Sequence, residues 1–83
     1  MATHDLKIWP EYFQEVQKGN KNFEIRKKDR NFKVGDTIFL WEFDPSKKRL
    51  TGEFLEATIT FITDFEQKEN YVVFGIKLFN ATT

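Results

Sequence analysis

Residues 19–30 read Gly-Asn-Lys-Asn-Phe-Glu-Ile-Arg-Lys-Lys-Asp-Arg, and the fold and function of the chain are best worked out from this stretch. Positions 21–36 contain six Lys and Arg residues but only three Asp and Glu residues, a local net charge of +3 in an 83-residue chain whose total charge is zero. A neutral chain does not attract polyanions over its whole surface. The distribution therefore predicts one confined basic site rather than a generally basic protein.

The central part of this stretch is predicted to be a β-strand, in which successive side chains point to opposite faces of the sheet. The polar face carries Asn22, Glu24, Arg26 and Lys28. The other face carries Phe23 and Ile25, which we expect to enter the core. The charged row then lines a groove, where a carboxylate between two cations orients an Arg side chain for bidentate contacts. A solvated outer face of the strand is the alternative interpretation.

Length and composition limit the classes of protein to which the chain can belong. The 83 residues predict a single domain, residues 1–83, of a size at which about 60% of the unfolded surface is buried. The absence of Cys excludes disulfides and thiol chemistry, and the single His4 argues against a His-based metal site or triad. We therefore predict no metal and no cofactor. The chain has neither an apolar segment of roughly 20 residues nor a signal peptide, which predicts a cytoplasmic protein that is not bound to a membrane. The oligomeric state stays open, and the charge and size are compatible with a monomer.

The remaining sequence predicts one helix and four further strands. Pro10 and Gly19 bracket a helix from about Pro10 to Lys18, because Pro favours the first helical turn and Gly the position after the last. The further strands are Thr3–Ile8, Thr37–Phe43, Phe54–Thr63 and Tyr71–Phe79. Gly75 predicts a bulge or a close backbone approach, and residues 80–83 are expected to fray. Hairpin-length loops between the strands favour a mainly β fold with one or two helices (α+β), a small β-barrel whose helix covers one opening.

Several short motifs resemble those of the small bacterial and phage ASCH domains, which are related to the RNA-binding PUA domains. The resemblance covers nearly the whole chain and centres on Gly-x-Lys-x-x-Glu-x-Arg at residues 19–26. It is carried by Leu6-Lys7-Ile8, Pro10-Glu11-Tyr12-Phe13, Gly19, Lys21, Glu24, Arg26-Lys27, Asp29-Arg30, Phe32, Val34-Gly35-Asp36, Asp44-Pro45, Thr51-Gly52 and Tyr71-Val72-Val73. It implies a PUA-like β-barrel with a helix beside a cleft, the motif strand at the base of that cleft, and a role in binding RNA.

Carried over to this chain, the resemblance implies that Lys21, Glu24 and Arg26 occupy the cleft, with Lys28 and Arg30 as further candidates by charge and position. Some small ASCH proteins are amidohydrolases that remove the acyl group of acetylcytidine. Their motif has a Thr three residues after the Lys, together with a distant Glu. This chain has Glu24 in the place of that Thr, which argues against the hydrolase activity.

Three functions fit the basic stretch, and we favour the first, a module that binds RNA, a nucleotide or a modified nucleoside. In it, Lys21 and Lys28 contact phosphates, and Arg26 offers a planar fork held by Glu24. A base would stack on an aromatic ring if one lines the cleft, although core packing is the alternative for each ring. The candidate rings are those of Trp9, Trp41 and Phe43.

The second function is an amidohydrolase of an acylated nucleoside such as acetylcytidine, with Lys21 or Glu24 as the candidate catalytic group. No second carboxylate for that chemistry can be identified from the sequence, so no catalytic residue is assigned. The third possibility is structural: Glu24 and Arg26 pair inside the barrel, and the protein binds a partner through its surface. In that case an Ala at either position lowers the thermal stability.

Overall fold

The computed structural model describes residues 1–79, so the fraying expected for residues 80–83 lies outside the described residues. The elements follow in the order β1 (Thr3–Ile8), α1 (Pro10–Gln17), β2 (Phe23–Lys27), β3 (Thr37–Asp44), β4 (Arg49–Thr63) and β5 (Tyr71–Leu78). Pro10 occupies the start of α1, and Gly19 follows its end with a positive φ of 85°, a conformation that Gly adopts without a steric penalty. The largest difference from the predicted bounds is in β4, which begins at Arg49 because the turn before it is confined to residues 45–48.

The strands form one sheet with the order β1-β3-β4-β5-β2. β1 lies parallel to β3, and the other neighbouring pairs are antiparallel. Within residues 1–79, 53% of the residues are in strands, the only helix is short, and the sheet curls into a half-barrel. The predicted fold class, mainly β with a helix, is therefore confirmed. The two strands at the ends of the order, β1 and β2, are the outer strands of the half-barrel.

The core fills the concave side of the curled sheet and is covered by α1. The helix contributes Phe13 and Val16, and β3 contributes Ile38 and Leu40, which are fully buried. The other buried apolar residues are Leu6, Ile8, Ala57, Ile59, Val72, Phe74 and Ile76. Their alternation along β1, β3 and β5 gives each of these strands one apolar inner face.

A β-bulge lies in β4 opposite Gly75. Ile59 pairs with Ile76 and Phe61 pairs with Gly75, so Thr60 is the extra residue between them. A Cβ atom on Gly75 would lie 2.9 Å from Thr60 Oγ1. The irregularity predicted at Gly75 is confirmed, and the bulged residue itself belongs to the partner strand.

The orientation predicted for β2 is wrong. Glu24 is the buried residue of this strand, with 4% of its surface exposed, whereas Phe23 and Ile25 are 43% and 53% exposed. Glu24 lies opposite the fully buried Phe74 in the ladder, so the inner face of the sheet at this point is already filled by the Phe ring. The Glu carboxylate is tolerated there because it is fully paired with cations, as described below.

The loop before β3 is tied to β1 through the buried carboxylate of Asp36. Its Oδ2 accepts hydrogen bonds from His4 Nε2 at 2.8 Å and from the backbone N–H of Lys33 at 3.0 Å. Its Oδ1 accepts one from the backbone N–H of Ala2 at 3.1 Å. The hydrogen bond from His4 is the main cause that lowers the pKa of Asp36, and the two backbone donors add to it, while burial acts in the opposite direction.

Candidate functional site

An open cleft of about 760 Å³ lies between the outer strands β1 and β2 and beside α1. Its lining residues are Lys7, Ile8, Trp9, Tyr12, Lys21, Phe23, Glu24, Ile25, Arg26, Lys27 and Phe43. Four of these side chains are cations and one is a carboxylate, which gives the cleft a net charge of +3. Because the whole chain is neutral, the cleft is a local positive region of the kind that attracts anions.

Glu24 is the centre of an ion triad at the base of the cleft. One carboxylate oxygen accepts a hydrogen bond from Lys21 Nζ at 2.5 Å, and the other accepts one from Arg26 Nε at 3.0 Å. The side chains of Glu24, Lys21 and Arg26 are 5%, 17% and 24% exposed. The carboxylate is therefore enclosed, while both cations keep a solvent-facing side. Hydrogen bonds between ionised partners are the strong class, so the triad fixes both cations in place.

The spacing in the sequence builds the triad. Glu24 and Arg26 are two residues apart in β2 and therefore lie on the same side of the strand. Lys21 belongs to the segment between α1 and β2, and its ammonium group also donates a hydrogen bond to the backbone carbonyl of Phe23 at 2.8 Å. The positive φ of Gly19 turns the chain at the end of the helix, so that Lys21 enters the cleft from the helical side.

Arg26 of β2 and Arg30 of the loop that follows β2 both donate hydrogen bonds to backbone carbonyls of β1. Arg26 Nη2 donates a hydrogen bond to the backbone carbonyl of Lys7 at 2.6 Å, and Arg30 Nη1 donates one to the carbonyl of Asp5 at 3.1 Å. Both acceptors belong to β1, two residues apart, so they lie on the same edge of that strand. The edge of an outer strand carries backbone groups that lack a neighbouring strand, and the arginine side chains supply donors to two of them.

Aromatic rings form the walls of the cleft away from the ion triad at its base. The rings of Trp9 and Phe43 lie against each other with centroids 5.8 Å apart, and Tyr12 and Trp9 are about half exposed. Lys7 Nζ lies 5.0 Å from the centroid of the Phe43 ring, and Lys21 Nζ lies 5.7 Å from that of Tyr12. Cations at these distances over ring faces are held by cation–π attraction.

The sequence from residue 3 to residue 76 matches the family described as a domain of unknown function, DUF3850. The chain belongs to the DUF3850 family. The matched range contains every residue that lines the cleft. The cleft is therefore part of the family domain itself.

A curated relative of this DUF3850 domain is the "Uncharacterized 12.9 kDa protein in GpA 3'region" of Escherichia phage P2. The two sequences are 42% identical over 71 residues, which cover 84% of this chain and 63% of the phage protein. The chain thus spans less than two thirds of the length of that relative. The comparison supports the family and assigns no activity.

The structure brings some of the predicted site residues of the DUF3850 domain together and leaves others apart. Lys21, Glu24, Arg26 and Trp9 all line the cleft, as does Phe43. These residues come from three different segments of the chain, and the fold brings them together in one cleft.

Three predicted residues lie elsewhere. Lys28 lines a second, smaller cavity of about 250 Å³, and Arg30 extends along β1 toward Asp5. Trp41 donates a hydrogen bond from Nε1 to Asp5 Oδ1 at 2.9 Å and packs against Phe54. Lys28, Arg30 and Trp41 therefore lie outside the set of cleft-lining residues, and a binding role for them stays a prediction. Trp41 alternates with the buried Leu40 in β3, so its ring lies on the outer face of the sheet, where it reaches Asp5.

Lys7, Tyr12 and Lys27 are cleft residues that the sequence reasoning missed. Lys27 is adjacent to Arg26, and Lys7 alternates with buried residues in β1. The sequence pattern could therefore have indicated that both lysines are exposed. Nothing in the sequence itself shows that β1 faces β2 across the cleft. That juxtaposition is a consequence of the strand order.

The described residues offer no metal centre. Among residues 1–79, no group of three or more His, Cys, Asp or Glu side chains is arranged to hold a metal ion. In the same part of the chain, no helix has the length and apolar character that crossing a membrane requires. The cleft-lining residues supply paired ions, hydrogen-bond donors and aromatic rings.

Proposed function

We propose that this DUF3850 domain binds RNA, a nucleotide or a modified nucleoside in the cleft between β1 and β2. The observation that supports this proposal is the combination, in one open cleft, of a net charge of +3 with half-exposed aromatic rings. Cations contact phosphates and aromatic rings stack bases, so the two features together match a nucleotide better than a simple anion. The resemblance of the Gly-x-Lys-x-x-Glu-x-Arg motif to that of ASCH domains supports the same class of ligand.

The cations of the cleft retain donors for a ligand. A guanidinium group has five N–H donors, and Arg26 uses one on Glu24 and one on the carbonyl of Lys7. An ammonium group has three donors, and Lys21 uses two, on Glu24 and on the carbonyl of Phe23. Both cations are held in fixed positions before a ligand arrives, which reduces the entropy lost on binding.

Lys7 and Lys27 are the side chains best suited to phosphate contacts. Both are exposed residues of the outer strands that border the cleft. In the described residues, neither has an ion-pair partner within 4.0 Å. A ligand phosphate would therefore not have to displace a carboxylate from them. The bases would stack on Trp9 or Tyr12 at the helical side of the cleft.

The geometry favours binding over hydrolysis of an acylated nucleoside. A Lys nucleophile needs a free electron pair on nitrogen, whereas Lys21 Nζ acts as a donor to Glu24 and to a backbone carbonyl. Each oxygen of the Glu24 carboxylate already accepts a hydrogen bond from a cation. Glu24 is also the only carboxylate among the cleft-lining residues within positions 1–79, so a second carboxylate for acid–base chemistry is lacking there. Acetylcytidine is nevertheless included as a ligand in the test below.

The test is an NMR titration of the protein with short single-stranded RNAs, nucleotides and acetylcytidine. We expect the chemical-shift changes to be concentrated at the amides of Lys7, Trp9 and residues 21–27. The double variant Lys7→Met/Lys27→Met should bind several-fold more weakly and with a shallower salt dependence, since each phosphate contact on a single strand contributes about 0.7 to the logarithmic salt slope. Time-dependent conversion of acetylcytidine would replace the binding proposal by the amidohydrolase.

A matched control is available in the turn between β3 and β4. The double variant Lys47→Met/Lys48→Met makes the same change in net charge at exposed positions outside the cleft. If the two double variants lose affinity equally, the binding depends on total charge and not on the cleft. Absence of shifts with every ligand, in a folded protein, would refute the proposal.

A further inference from the structure

We propose that the binding surface continues from the cleft onto the outer face of β2, β5 and β4, and that the preferred ligand is a single-stranded nucleic acid several nucleotides long rather than a mononucleotide. This inference rests on the proposed function, because the cleft supplies the first contacts. It adds a second set of contacts for the part of the strand that leaves the cleft.

The outer face carries two exposed phenylalanine rings on either side of a glycine. Gly75 of β5 pairs with Phe23 of β2 on one side and with Phe61 of β4 on the other. Phe61 is 65% exposed and Phe23 is 43% exposed. The three residues form a row across three strands, in which the two rings are separated by two strand spacings, about 10 Å. Gly75 has no side chain, and Thr60 Oγ1 lies only 2.9 Å from the position that a Cβ atom would occupy there, so a small hydroxyl group and no third ring lies between the two phenylalanines.

This row is continuous with the cleft. Phe23 and Ile25 belong to the outer face of the sheet and also line the cleft. Ile25 pairs with Val73 of β5 in the next row of the same face. An apolar surface therefore passes from the cleft around the edge of β2 onto the outer face, without an intervening charged row.

Lysine side chains border this surface. Lys21 Nζ lies 4.9 Å from the centroid of the Phe23 ring. Lys27 stands beside Tyr71 in the ladder, on the same face as Phe23. Lys77 occupies the same face of β5 as Gly75, two residues further along, and is exposed. Aromatic rings bordered by cations are the surface that binds single strands without sequence selectivity.

A second group of aromatic rings on the outer face has the opposite electrostatic surroundings. Phe39 of β3 packs against Phe54, and in the sheet it lies between Asp5 of β1 and Glu56 of β4. Carboxylates on both sides disfavour a polyanion here. The contrast identifies the rings beside the lysines as the nucleic-acid surface, and it provides a control ring of the same residue type.

The test compares the affinities of oligouridylates of two and eight nucleotides. We expect the octanucleotide to bind more tightly than the dinucleotide, because it contacts the outer face as well as the cleft. Phe61→Ala should weaken octanucleotide binding by about fivefold or more, the range of one lost base–ring stack, and leave dinucleotide binding unchanged. Phe54→Ala removes a ring that is 48% exposed and should leave both affinities unchanged.

The outcomes separate this inference from the proposal for the cleft. If the dinucleotide binds at the cleft but the octanucleotide binds no better, the extended surface is refuted and the cleft function stands. If neither binds, both fail. Sedimentation velocity provides a further check: self-association that Phe61→Ala abolishes, with no dependence of affinity on strand length, would assign this face to a second copy of the chain and overturn the nucleic-acid proposal.

Discussion

Removing the carboxylate of Glu24 is the perturbation that tests the ion triad most directly. In Glu24→Ala, Lys21 and Arg26 lose their common partner and remain close to each other at the base of the cleft. Two hydrogen bonds to a charged group disappear, and two like charges are left without the carboxylate between them. The expected result is a clear loss of stability, because these ion pairs hold β2 in place at the base of the cleft.

The structure sets the magnitude of this loss. Breaking a buried ion pair by removing one partner costs about 3–5 kcal/mol. The side chains of Lys21 and Arg26 are 17% and 24% exposed, so water can solvate the cations that remain. We therefore expect a decrease of about 2–3 kcal/mol in the free energy of unfolding, below the fully buried range. For a domain of this size, that decrease lowers the Tm by about 10–20 °C.

The assay is urea denaturation followed by Trp fluorescence, with Glu15→Ala as the control. Glu15 pairs with Lys18 at 3.6 Å on the exposed side of α1, and its side chain is 43% exposed, so its removal should cost at most about 0.5 kcal/mol. Glu24→Gln keeps the shape of the side chain but turns an amide NH₂ toward one of the cations, so it should recover little of the loss. Equal midpoints for Glu24→Ala and Glu15→Ala would refute the structural role of the triad.

Three further predictions concern other parts of the fold. The pKa of Asp36 is lowered chiefly by the hydrogen bond from His4. The stability that this carboxylate contributes is therefore present above the unfolded-state pKa of about 4 and is lost as the pH falls through the lower folded-state value. In urea denaturation from pH 7 to pH 2, the stability of Asp36→Asn should depend less on acid than that of the wild type, and identical curves would contradict this. Arg26→Lys retains the charge but not the fork that reaches β1, so amide hydrogen exchange in β2 should accelerate, whereas unchanged protection would show that the bridge contributes nothing. Gly75→Ala places a Cβ atom 2.9 Å from Thr60 Oγ1 and should destabilise the fold by about 1–3 kcal/mol. The double variant Gly75→Ala/Thr60→Ala should lose less stability than Gly75→Ala alone, and an equal loss would show that the strain does not come from this contact.

Local features of the sequence predicted most of the fold. Pro10 and Gly19 marked the ends of the helix because their backbone preferences do not depend on the rest of the chain. The strands were recognised from their apolar and β-branched residues, and Gly75 marked the bulge. In each case the physical cause acts within a few residues.

The orientation of β2 could not be obtained in that way. Alternation separates Glu24 from Phe23 and Ile25, but it does not say which face lies inside. The apolar face is normally the inner one, and here that preference is overridden because Glu24 has a cation at position 21 and another at position 26. A Glu flanked by Lys three residues before and Arg two residues after is the one signal in the sequence that a carboxylate could be buried.

Contacts between distant segments were also beyond the sequence reasoning. The hydrogen bond between His4 and Asp36 joins residues 32 positions apart, and that from Arg26 to the carbonyl of Lys7 joins residues 19 positions apart. Both depend on the parallel pairing of β1 with β3, which no local pattern specifies. The same pairing places Trp41 beside β1, where it donates a hydrogen bond to Asp5.

The strand order also has a consequence for how the chain acquires its cleft. β3, β4 and β5 follow one another in the sequence and pair as neighbours, so their contacts close short loops and are expected to form early. β1 must instead pair with β3 across the intervening helix and β2, and β2 must pair with β5, about 50 residues away. The two strands that border the cleft are thus expected to join the sheet last. A chain that has formed only its central hairpins would contain most of its β-structure and no cleft, so ligand binding would report the completion of folding itself.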